Sequence, residues 1–378
     1  MANSLGYFNP VFYAQETLKL LEQNLAMART VHRGYEGERG TFERGQYINI
    51  PKPSTFTAAT APASTVQDIS TGSVQIELAS WEEVTFGVTD KEKAYTGDQI
   101  IQRHLQPAAY AIAKSVNASL HALYKDIPWY HDIASTPTVD DVIQPSRILF
   151  ENGVPSNPAD LFFAVSPAFA ASLKGLSAFS QNQGAGAAGI DTQMTGAIGQ
   201  RYGMQFYEAQ QIPTHTKGTS TDVLWELVGA HTRGASTIAV DGLTADSATY
   251  VAGDTIIIEG NTQRYSITAL VTSSGTTATV SITPPLVQDY ADNADVVPNM
   301  DTHVANLAYH RNAFALVMAP LDDDVPGGQA FTATDPNSGL SVRASIQWNI
   351  STKKTLVSLD ALWGVKTLDP NMAVRARG

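Results

Sequence analysis

The sequence predicts an α+β fold that carries a small all-β domain as an insertion. Three observations support this prediction. Two long segments before residue 130 have apolar residues at three- and four-residue spacing, the pattern of amphipathic helices. Apolar and polar residues alternate between residues 46 and 89 and again after residue 328, the pattern of half-buried strands. Between residues 231 and 300, short β-branched runs follow one another without a helical segment.

The composition excludes several classes of site. A chain of 378 residues is long enough for two or three domains. The absence of cysteine excludes disulfides, thiolate metal sites and a cysteine nucleophile. No run approaches about 18 consecutive apolar residues, so we expect no transmembrane helix and no membrane partner. With a net charge of −12, the protein gains no counterion-release affinity for nucleic acid.

Residues 1–45 are predicted to form an N-terminal arm. A helix is expected after Pro10, because apolar residues recur along one of its faces. These residues are Phe12, Leu18, Leu21, Leu25 and Ala28. The helix must pack on its own domain or cross to a neighbouring subunit, and the sequence leaves both arrangements open. The charged, glycine-rich segment 34–45 is expected to be a loop.

Residues 46–89 are predicted to form an extended β-hairpin with a polar tip. The run "QYINIP" indicates one strand, and the alternation in "VQIELASWEEVTFGVTD" indicates one long second strand, bent near Ser80 and Trp81. The connecting residues 54–73 are rich in Ser, Thr and Ala, which is typical of an exposed loop. A loop of this length is usually functional.

Residues 97–127 are predicted to form one long helix, capped by Thr96 or Asp98 and kinked at Pro107. At 1.5 Å per residue it would be roughly 45 Å long. Its apolar face is expected to contain Ile101, Leu105, Ala108, Ile112, Val116, Leu120, Leu123 and Ile127.

The segments that follow predict a mixed domain. "VDDVIQPSRILFENG" indicates a helix in which Pro145 is a potential break, and "LFFAVSP" indicates a buried strand. A helix over "AFAASLKGL" and strands over "QFYEAQQIP" and residues 221–229 come next. After the β-rich residues 231–300, strands are expected in "QAFTATDP", "LSVRASIQWNI", "KTLVSLDALWGVKTL" and "AVRAR", with a turn at residues 335–339.

The glycine pattern from Gly184 to Gly189 has the G-x-G-x-x-G spacing of dinucleotide-binding loops. Such a loop needs a strand before it and a helix after it, so that the helix N-terminus faces the pyrophosphate. The preceding residues are not strand-like, and residues 190–193 begin no apolar-periodic helix. We therefore expect an adaptable Gly/Ala loop and no nucleotide site.

Other chemical motifs are weak or absent from the sequence. Residues 322–324 are three consecutive aspartates, which we interpret as a solvated acidic turn and not as a cation site. The eight histidines form no H-x-x-x-H pair, and neither a G-x-S-x-G elbow nor a phosphate-binding G-x-x-x-x-G-K-[ST] loop is present. These absences do not exclude an enzyme, but they favour a protein that provides a surface and not a reaction. We therefore expect a protein that is not an enzyme, with no catalytic, cofactor-binding or metal-binding residues.

Four segments together carry a resemblance to a known family. They are "TGAIGQRYGMQFYEAQQIP" (195–213), "YVAGDTIIIEGNTQRYSITAL" (250–270), "AYHRNAFALVMAPL" (308–321) and the terminal strands with "LWGVKTLDP" (334–378). In this order, and after an arm, a hairpin and a long helix, they resemble the major capsid proteins of tailed double-stranded DNA bacteriophages. The fold of that family is the Hong Kong ninety-seven type. The podophage coat proteins that carry an inserted β-barrel are the most similar branch, although the short links of this insertion depart from their long bracing loops.

The resemblance implies a division of the chain into five parts. Residues 1–45 would be the N-terminal arm and residues 46–89 the extended hairpin, called the E-loop in that family. Residues 90–135 and 345–378 would form a peripheral domain that contains the long spine helix. Residues 136–230 and 301–344 would form an axial domain, with Gly184 to Gly189 near the centre of a capsomer, and residues 231–300 the inserted barrel.

The resemblance also implies function and partners. Copies of the chain would assemble as pentamers and hexamers into an icosahedral shell in the host cytoplasm and remain in the virion. Further expected partners are a scaffolding protein, a portal, a possible decoration protein and packaged double-stranded DNA as weakly contacted cargo. Candidate intersubunit contacts are the charged residues of the arm and the hairpin region: Glu36, Glu38, Arg39, Glu43, Arg44, Glu82, Glu83 and Lys91.

Three alternatives stay open at the level of the sequence. An encapsulin-like nanocompartment shell shares this fold but usually lacks the insertion and encloses an enzyme cargo. Another component of the virion is a second alternative. A third alternative is a β-rich hydrolase or carbohydrate-binding protein, with residues 231–300 as the binding module. The only tyrosines in residues 231–300 are Tyr250, Tyr265 and Tyr290.

Overall fold

The computed structural model describes residues 10–33, 47–51, 73–92, 99–155, 157–181, 187–244, 249–324, 328–335 and 340–378. The chain divides into two compact units. The first unit comprises Met1–Leu25, His32–Val116 and Ala315–Leu368. The second unit comprises Ala26–Val31, Asn117–Phe314 and Asp369–Gly378.

Helices and strands both contribute, so the predicted α+β class is confirmed. The α-helices are α1 (Pro10–Asn24), α2 (Gln99–His121), α3 (Asp140–Glu151), α4 (Pro167–Gly175), α5 (Ser177–Ser180) and α6 (Ala187–Thr195). The strands as far as the insertion are β1 (Tyr47–Pro51), β2 (Ser73–Glu77), β3 (Ser80–Thr89), β4 (Tyr130–Asp132), β5 (Leu161–Val165), β6 (Gln200–Arg201), β7 (Met204–Glu208) and β8 (Thr214–His215). Those of the insertion are β9 (Trp225–Leu227), β10 (Thr237–Asp241), β11 (Thr249–Tyr250), β12 (Thr255–Ile258), β13 (Arg264–Ile267), β14 (Val271–Thr272), β15 (Ala278–Thr283) and β16 (Asp295–Asn299). The last strands are β17 (His303–His310), β18 (Phe314–Ala319), β19 (Gln329–Thr334), β20 (Ser341–Asn349), β21 (Lys354–Thr367) and β22 (Ala373–Arg377).

The first unit is built on an antiparallel sheet in the order β3-β21-β20-β19, and β18 also pairs with β21. Val357 of β21 lies between Phe86 of β3 and Ile346 of β20. The alternation that predicted these strands places Val357, Leu359 and other apolar residues on one face. The tail strands are therefore confirmed as predicted.

Helix α1 packs on β19 and β20 of the same unit. Its buried residues are Tyr13, Ala14, Thr17 and Leu21. The predicted apolar face was partly wrong, because Phe12 is 41% exposed. Tyr13 and Thr17 are buried in place of Phe12 and Leu18, whereas Leu21, Leu25 and Ala28 are buried as predicted.

Helix α2 has nearly the predicted extent and contains Pro107, and a 3-10 segment, Ala122–Asp126, continues it. Six of the predicted apolar residues are buried: Leu105, Ala108, Ile112, Val116, Leu120 and Ile127. Leu123 is only partly buried. The 3-10 segment turns about 120° per residue, so Tyr124 takes the buried position instead. The predicted caps, Thr96 and Asp98, lie outside the described residues.

The predicted hairpin exists, but its second strand is shorter than expected. Strand β2 pairs antiparallel with β1, with Tyr47 opposite Glu77 and Pro51 opposite Ser73. The prediction of one long strand was wrong, because the chain leaves β1 after Glu77 and β3 pairs instead with β21. The alternation of side chains continues through this change of partner, so the sequence pattern could not reveal it. The predicted tip, residues 54–73, lies outside the described residues except for Ser73.

The second unit contains a mixed sheet in the order β4-β22-β17-β5-β7-β6, and β8 also pairs with β17. Strand β5 is buried along its whole length and runs parallel to β7. Helix α3 is continuous through Pro145, so the potential break there does not occur. Its buried residues join the apolar core under this sheet.

Strand pairing assigns two tail segments differently from the predicted domains. Strands β18 to β20 belong to the sheet of the first unit. They lie within the predicted axial residues 301–344 or at the boundary of that range. Strand β22, within the predicted peripheral residues 345–378, pairs with β17 and β4 in the second unit. The chain therefore changes units at residues 314–315 and again at residues 368–369.

The predicted all-β insertion is a closed barrel in the order β10-β15-β13-β12-β16-β9. Alternation along its strands directs Ile256 and Ile258 inward, whereas Ile257 stays partly exposed. The barrel is closed by β9, so it begins near Trp225, earlier than the predicted residue 231. Among the described residues, no helix has the length and apolar character needed to cross a membrane.

Candidate functional site

Three of the eight charged residues predicted as intersubunit contacts lie in the described part of the chain. Glu82 and Glu83 are exposed in β3, and Lys91 is exposed just after it. Being consecutive, Glu82 and Glu83 point to opposite faces of the sheet. No ion pair of these three residues occurs within the described ranges, so their charges face solvent. The other five lie outside the described residues: Glu36, Glu38, Arg39, Glu43 and Arg44.

Strand β3 is an edge strand of its sheet. It pairs with β21 from Ser80 to Thr89, and no described strand pairs with its other edge. Glu83 lies opposite Asp360 and accepts a hydrogen bond from the Ser358 hydroxyl at 3.3 Å. Charged residues on an edge strand disfavour unwanted pairing with other strands. Glu82 and Glu83 therefore protect this edge of the sheet.

A buried ion pair fixes the middle of this sheet. Asp360 is 2% exposed, and its carboxylate accepts a hydrogen bond from the Arg343 guanidinium, with Arg343 Nε 3.2 Å from Asp360 Oδ1. The Trp81 indole N–H donates to the same carboxylate at 3.2 Å. Arg343 Nη1 donates to the carbonyl oxygen of Asp322 at 2.8 Å. The acidic residues 322–324 are exposed, as predicted, and no metal-binding group of three His, Asp or Glu side chains occurs among the described residues.

The hairpin base crosses β21 at Gly364. A Cβ at this position would lie 2.3 Å from the carbonyl oxygen of Glu77 and 3.2 Å from Ile76 Cγ2. The close approach lets β2 bury Ile76 beside Val317 of β18 in one apolar cluster. A glycine inside a strand pattern indicates close backbone approach, so Gly364 in "LWGVKTL" is the sequence signal for this crossing.

A buried polar cluster joins the barrel to the sheet of the second unit. The Tyr124 hydroxyl lies 3.1 Å from His215 Nδ1, and His215 Nε2 lies 3.0 Å from Asp254 Oδ1. The Arg375 guanidinium is 1% exposed and donates through Nη1 to the carbonyl oxygen of Gly253 at 2.6 Å. Its burial lowers the pKa of Arg375 to about 9. The members lie far apart in sequence, so no spacing indicated this cluster.

Arg264 attaches the barrel at a second point. Its guanidinium carbon lies 4.0 Å from the ring centre of Tyr130, and its Nη1 donates to the Tyr130 carbonyl oxygen at 2.8 Å. Arg377 stacks on the same ring at 3.6 Å and donates through Nη1 to Asn299 Oδ1 at 2.7 Å. Two arginines from different strands therefore enclose one tyrosine at the base of the barrel.

Replacing Arg264 with alanine is expected to loosen this attachment by about 1–2 kcal/mol, because one cation–π contact and one hydrogen bond to a charged donor are lost. Limited proteolysis should then cleave more rapidly near residues 225 and 299, where the barrel joins the unit. The matched control is Arg233→Ala, since Arg233 is an exposed arginine of the insertion. Equal cleavage rates in the two variants would contradict the assigned role.

Two histidines are buried in their neutral form. His121 is fully buried, neither of its ring nitrogens has a hydrogen-bond partner within the described structure, and burial lowers its pKa to about 4. The His303 ring is centred 5.0 Å from the His215 ring and tilted 43° to it, and burial lowers the pKa of His303 to about 3. His215 and His303 are therefore in contact, although they are far apart in the sequence.

The described residues before the glycine pattern lack the strand that a dinucleotide site requires. The residues before it, Ser177–Ser180, are helical, so the required strand is absent there. The expectation that no helix follows was wrong, because α6 begins at Ala187. Gln193 donates to the Ser180 carbonyl oxygen at 2.6 Å and holds α6 against α5, a tertiary contact that the apolar pattern did not reveal. Residues 182–186 lie outside the described part of the chain.

Comparison with known proteins gives structural relatives only. No family model matches the sequence. No curated protein matches it either. A chain in the solved structure of Mycobacterium phage Che8 superposes with a TM-score of 0.51 at 13% identity, over 93% of this chain and 90% of that one.

Two further similarities are weaker. A chain in the capsid structure of the cyanophage P-SCSP1u gives a TM-score of 0.48 at 10% identity, over 89% of this chain and 84% of that chain. A chain in the asymmetric unit of the bacteriophage PhiM1 mature capsid gives a TM-score of 0.43 at 11% identity. The match covers 89% of this chain and 82% of that chain. The chain therefore shares its α+β fold with a chain in the Mycobacterium phage Che8 structure.

Proposed function

We propose that this chain is the major capsid protein of a tailed double-stranded DNA phage and assembles into an icosahedral shell. The observation that carries the proposal is the fold shared with a Mycobacterium phage Che8 chain over 93% of the length. The podophage branch stays a prediction. A structural role also fits the described residues, because polar clusters attach the barrel to its unit and an apolar cluster holds the hairpin base.

The shell requires contacts between identical copies. Heterologous contacts that close under rotation produce rings, and rings of five and six copies produce a closed shell. The exposed charges of Glu82, Glu83 and Lys91, together with the five charged residues of segment 34–45, are the proposed intersubunit contacts. A solvated pair contributes only about 0–1 kcal/mol, so these charges would direct assembly more than they would stabilise it.

Partners and location follow from this role. Within the proposal, the protein is assembled in the host cytoplasm with a scaffolding protein and a portal, and a decoration protein is a possible outer partner. The net charge of −12 supports a wall that touches packaged DNA only weakly. The proposal includes a structural role for the protein, without a catalytic centre.

Electron microscopy of the expressed chain tests the proposal. Expressed alone and then with its neighbouring gene products, the chain is expected to form closed particles of uniform diameter in negative stain. Particles that contain an enzyme cargo and never acquire a portal or DNA would favour a nanocompartment shell. Single chains under both conditions would contradict a shell of either kind.

A further inference from the structure

The two connections of the barrel meet at a buried pair of histidines, His215 and His303. The chain enters the barrel after β8 and leaves it into β17, and these two strands pair with His303 opposite His215. The two residues are 2% and 6% exposed, and their ring centres are 5.0 Å apart. Both links between the barrel and the sheet of the second unit therefore end at this histidine pair.

A hydrogen bond holds His303 in one neutral form. Its Nδ1 lies 2.7 Å from the carbonyl oxygen of Asp301, and a carbonyl oxygen only accepts, so Nδ1 carries the proton. Nε2 then has a lone pair, and it is buried without a hydrogen-bond partner among the described residues. A proton added at Nε2 would therefore place a charged N–H group in the interior with no acceptor.

The nearest strand adds positive charge to these surroundings. Arg377 of β22 lies opposite Ala305 of β17, so Arg375 and Arg377 project from the same side of the sheet as His303. Arg375 is 1% exposed, and its Nε and Nη2 have no hydrogen-bond partner in the described part of the chain. The Asp301 carboxylate is 63% exposed and lies 3.8 Å from Arg377 Nη2. It therefore compensates a buried charge on His303 only weakly.

The groups on the other side of the histidine pair are already engaged. Asp254 of the barrel places Oδ1 3.0 Å from His215 Nε2, and its Oδ2 accepts a backbone N–H at 2.9 Å. The Tyr124 hydroxyl lies 3.1 Å from His215 Nδ1, and the next residue, Lys125, is an exposed cation. None of these groups offers a free carboxylate to His303.

We propose that the histidine pair is an acid-sensitive hinge, at which proton uptake by His303 favours a state with the barrel moved away from the sheet while both stay folded. In that state water solvates the imidazolium, which the closed cluster cannot do. The inference goes beyond the proposed function and does not depend on assembly, because every group involved belongs to one chain.

The direction of the pH effect follows from proton binding in the two states. Burial lowers the pKa of His303 from 6.5 to about 3 in the closed state, and solvation restores the higher pKa in the open state. Between these pH values the open state binds a proton that the closed state does not. The ratio of open to closed chains is therefore expected to rise about tenfold for each pH unit below 6.5, or about thirtyfold between pH 7.5 and pH 5.0.

Thiol labelling measures this opening, because the chain contains no cysteine of its own. Ser266 lies on the outer side of β13, is fully buried and donates a hydrogen bond to the Lys125 carbonyl oxygen. A Ser266→Cys thiol is therefore covered while the barrel is in place. Its labelling rate with a pyridyl disulfide is divided by that of an unstructured peptide thiol at the same pH. This ratio is expected to rise about thirtyfold from pH 7.5 to pH 5.0.

Two control variants separate hinge opening from unfolding. A Val165→Cys thiol lies in the core of the sheet and is expected to stay protected at both pH values, because Val165 is fully buried in β5. The second control adds His303→Asn to Ser266→Cys. Its amide can still donate to the Asp301 carbonyl oxygen but does not titrate, so the rise in acid is expected to disappear.

Three results would overturn the hinge: a flat pH profile at Ser266→Cys, the same rise in the presence of His303→Asn, or a parallel rise at Val165→Cys. The last of these would mean that acid unfolds the second unit as a whole. If the His303→Asn chain does not fold at pH 7.5, the comparison of the two thiol positions in the wild-type background still decides between hinge opening and unfolding.

Discussion

Substitution of Gly364 by alanine is expected to detach the hairpin base from its sheet. The new Cβ would lie 2.3 Å from the Glu77 carbonyl oxygen, which belongs to the backbone and cannot rotate away. Strand β2 must then move outward and withdraw Ile76 from its apolar cluster. We expect a loss of about 3 kcal/mol of stability in the first unit, the upper end of what overpacking usually costs.

Hydrogen exchange measures this effect locally. Amides of residues 73–78 and of β1 should exchange faster in Gly364→Ala than in the wild type, and the denaturant midpoint should fall. Gly175→Ala is the matched control, because a Cβ there would meet no atom within 4 Å. Wild-type exchange at residues 73–78 in Gly364→Ala would show that β2 does not cross at this glycine.

Acidification is expected to destabilise the second unit through His121. Burial lowers the pKa of His121 from 6.5 to about 4, so between these two pH values the unfolded chain binds a proton that the folded chain does not. The free energy of unfolding therefore falls as the pH falls through this window. One pKa unit corresponds to about 1.4 kcal/mol, so the full loss near pH 4 is about 3 kcal/mol. His303 acts in the same direction, since burial lowers its pKa to about 3.

The pH dependence of His121→Leu isolates this contribution. Urea midpoints of wild type and variant, measured from pH 7.5 to 4.5, should show a smaller acid loss in the variant, because carboxylate titrations are common to both. The control His104→Leu replaces an exposed histidine of the same helix and should keep the wild-type slope. Parallel curves for wild type and His121→Leu would mean that His121 is solvated in the folded protein.

Local patterns predicted most of the elements. The alternation of the tail predicted β19 to β22, and three- and four-residue spacing predicted α2 with five of its buried residues. Glycine-containing turns between short β-branched runs predicted the barrel. These signals are local, because burial on one face repeats with the period of the helix or strand itself.

The sequence could not predict which distant segments pair. The exchange of partners between β2 and β3 leaves the alternation intact, and β22 has the pattern of any strand although it pairs in the second unit. In the cluster of His215, Asp254 and Arg375, the first two residues are 39 positions apart, and Arg375 bonds to Gly253, which lies 122 positions earlier. The predicted charged contacts were instead chosen by their position in the arm and hairpin. Gly364 is the exception, since a glycine within a strand pattern does indicate close approach.

Cryo-electron microscopy of particles formed by this chain is the most direct test of a shell-forming role. The account predicts a closed icosahedral shell whose wall is a repeat of the fold described above, with the barrel attached at Arg264 and the hairpin base crossing Gly364. A homogeneous preparation of folded single chains that never closes into a shell, even with the neighbouring gene products, would contradict it.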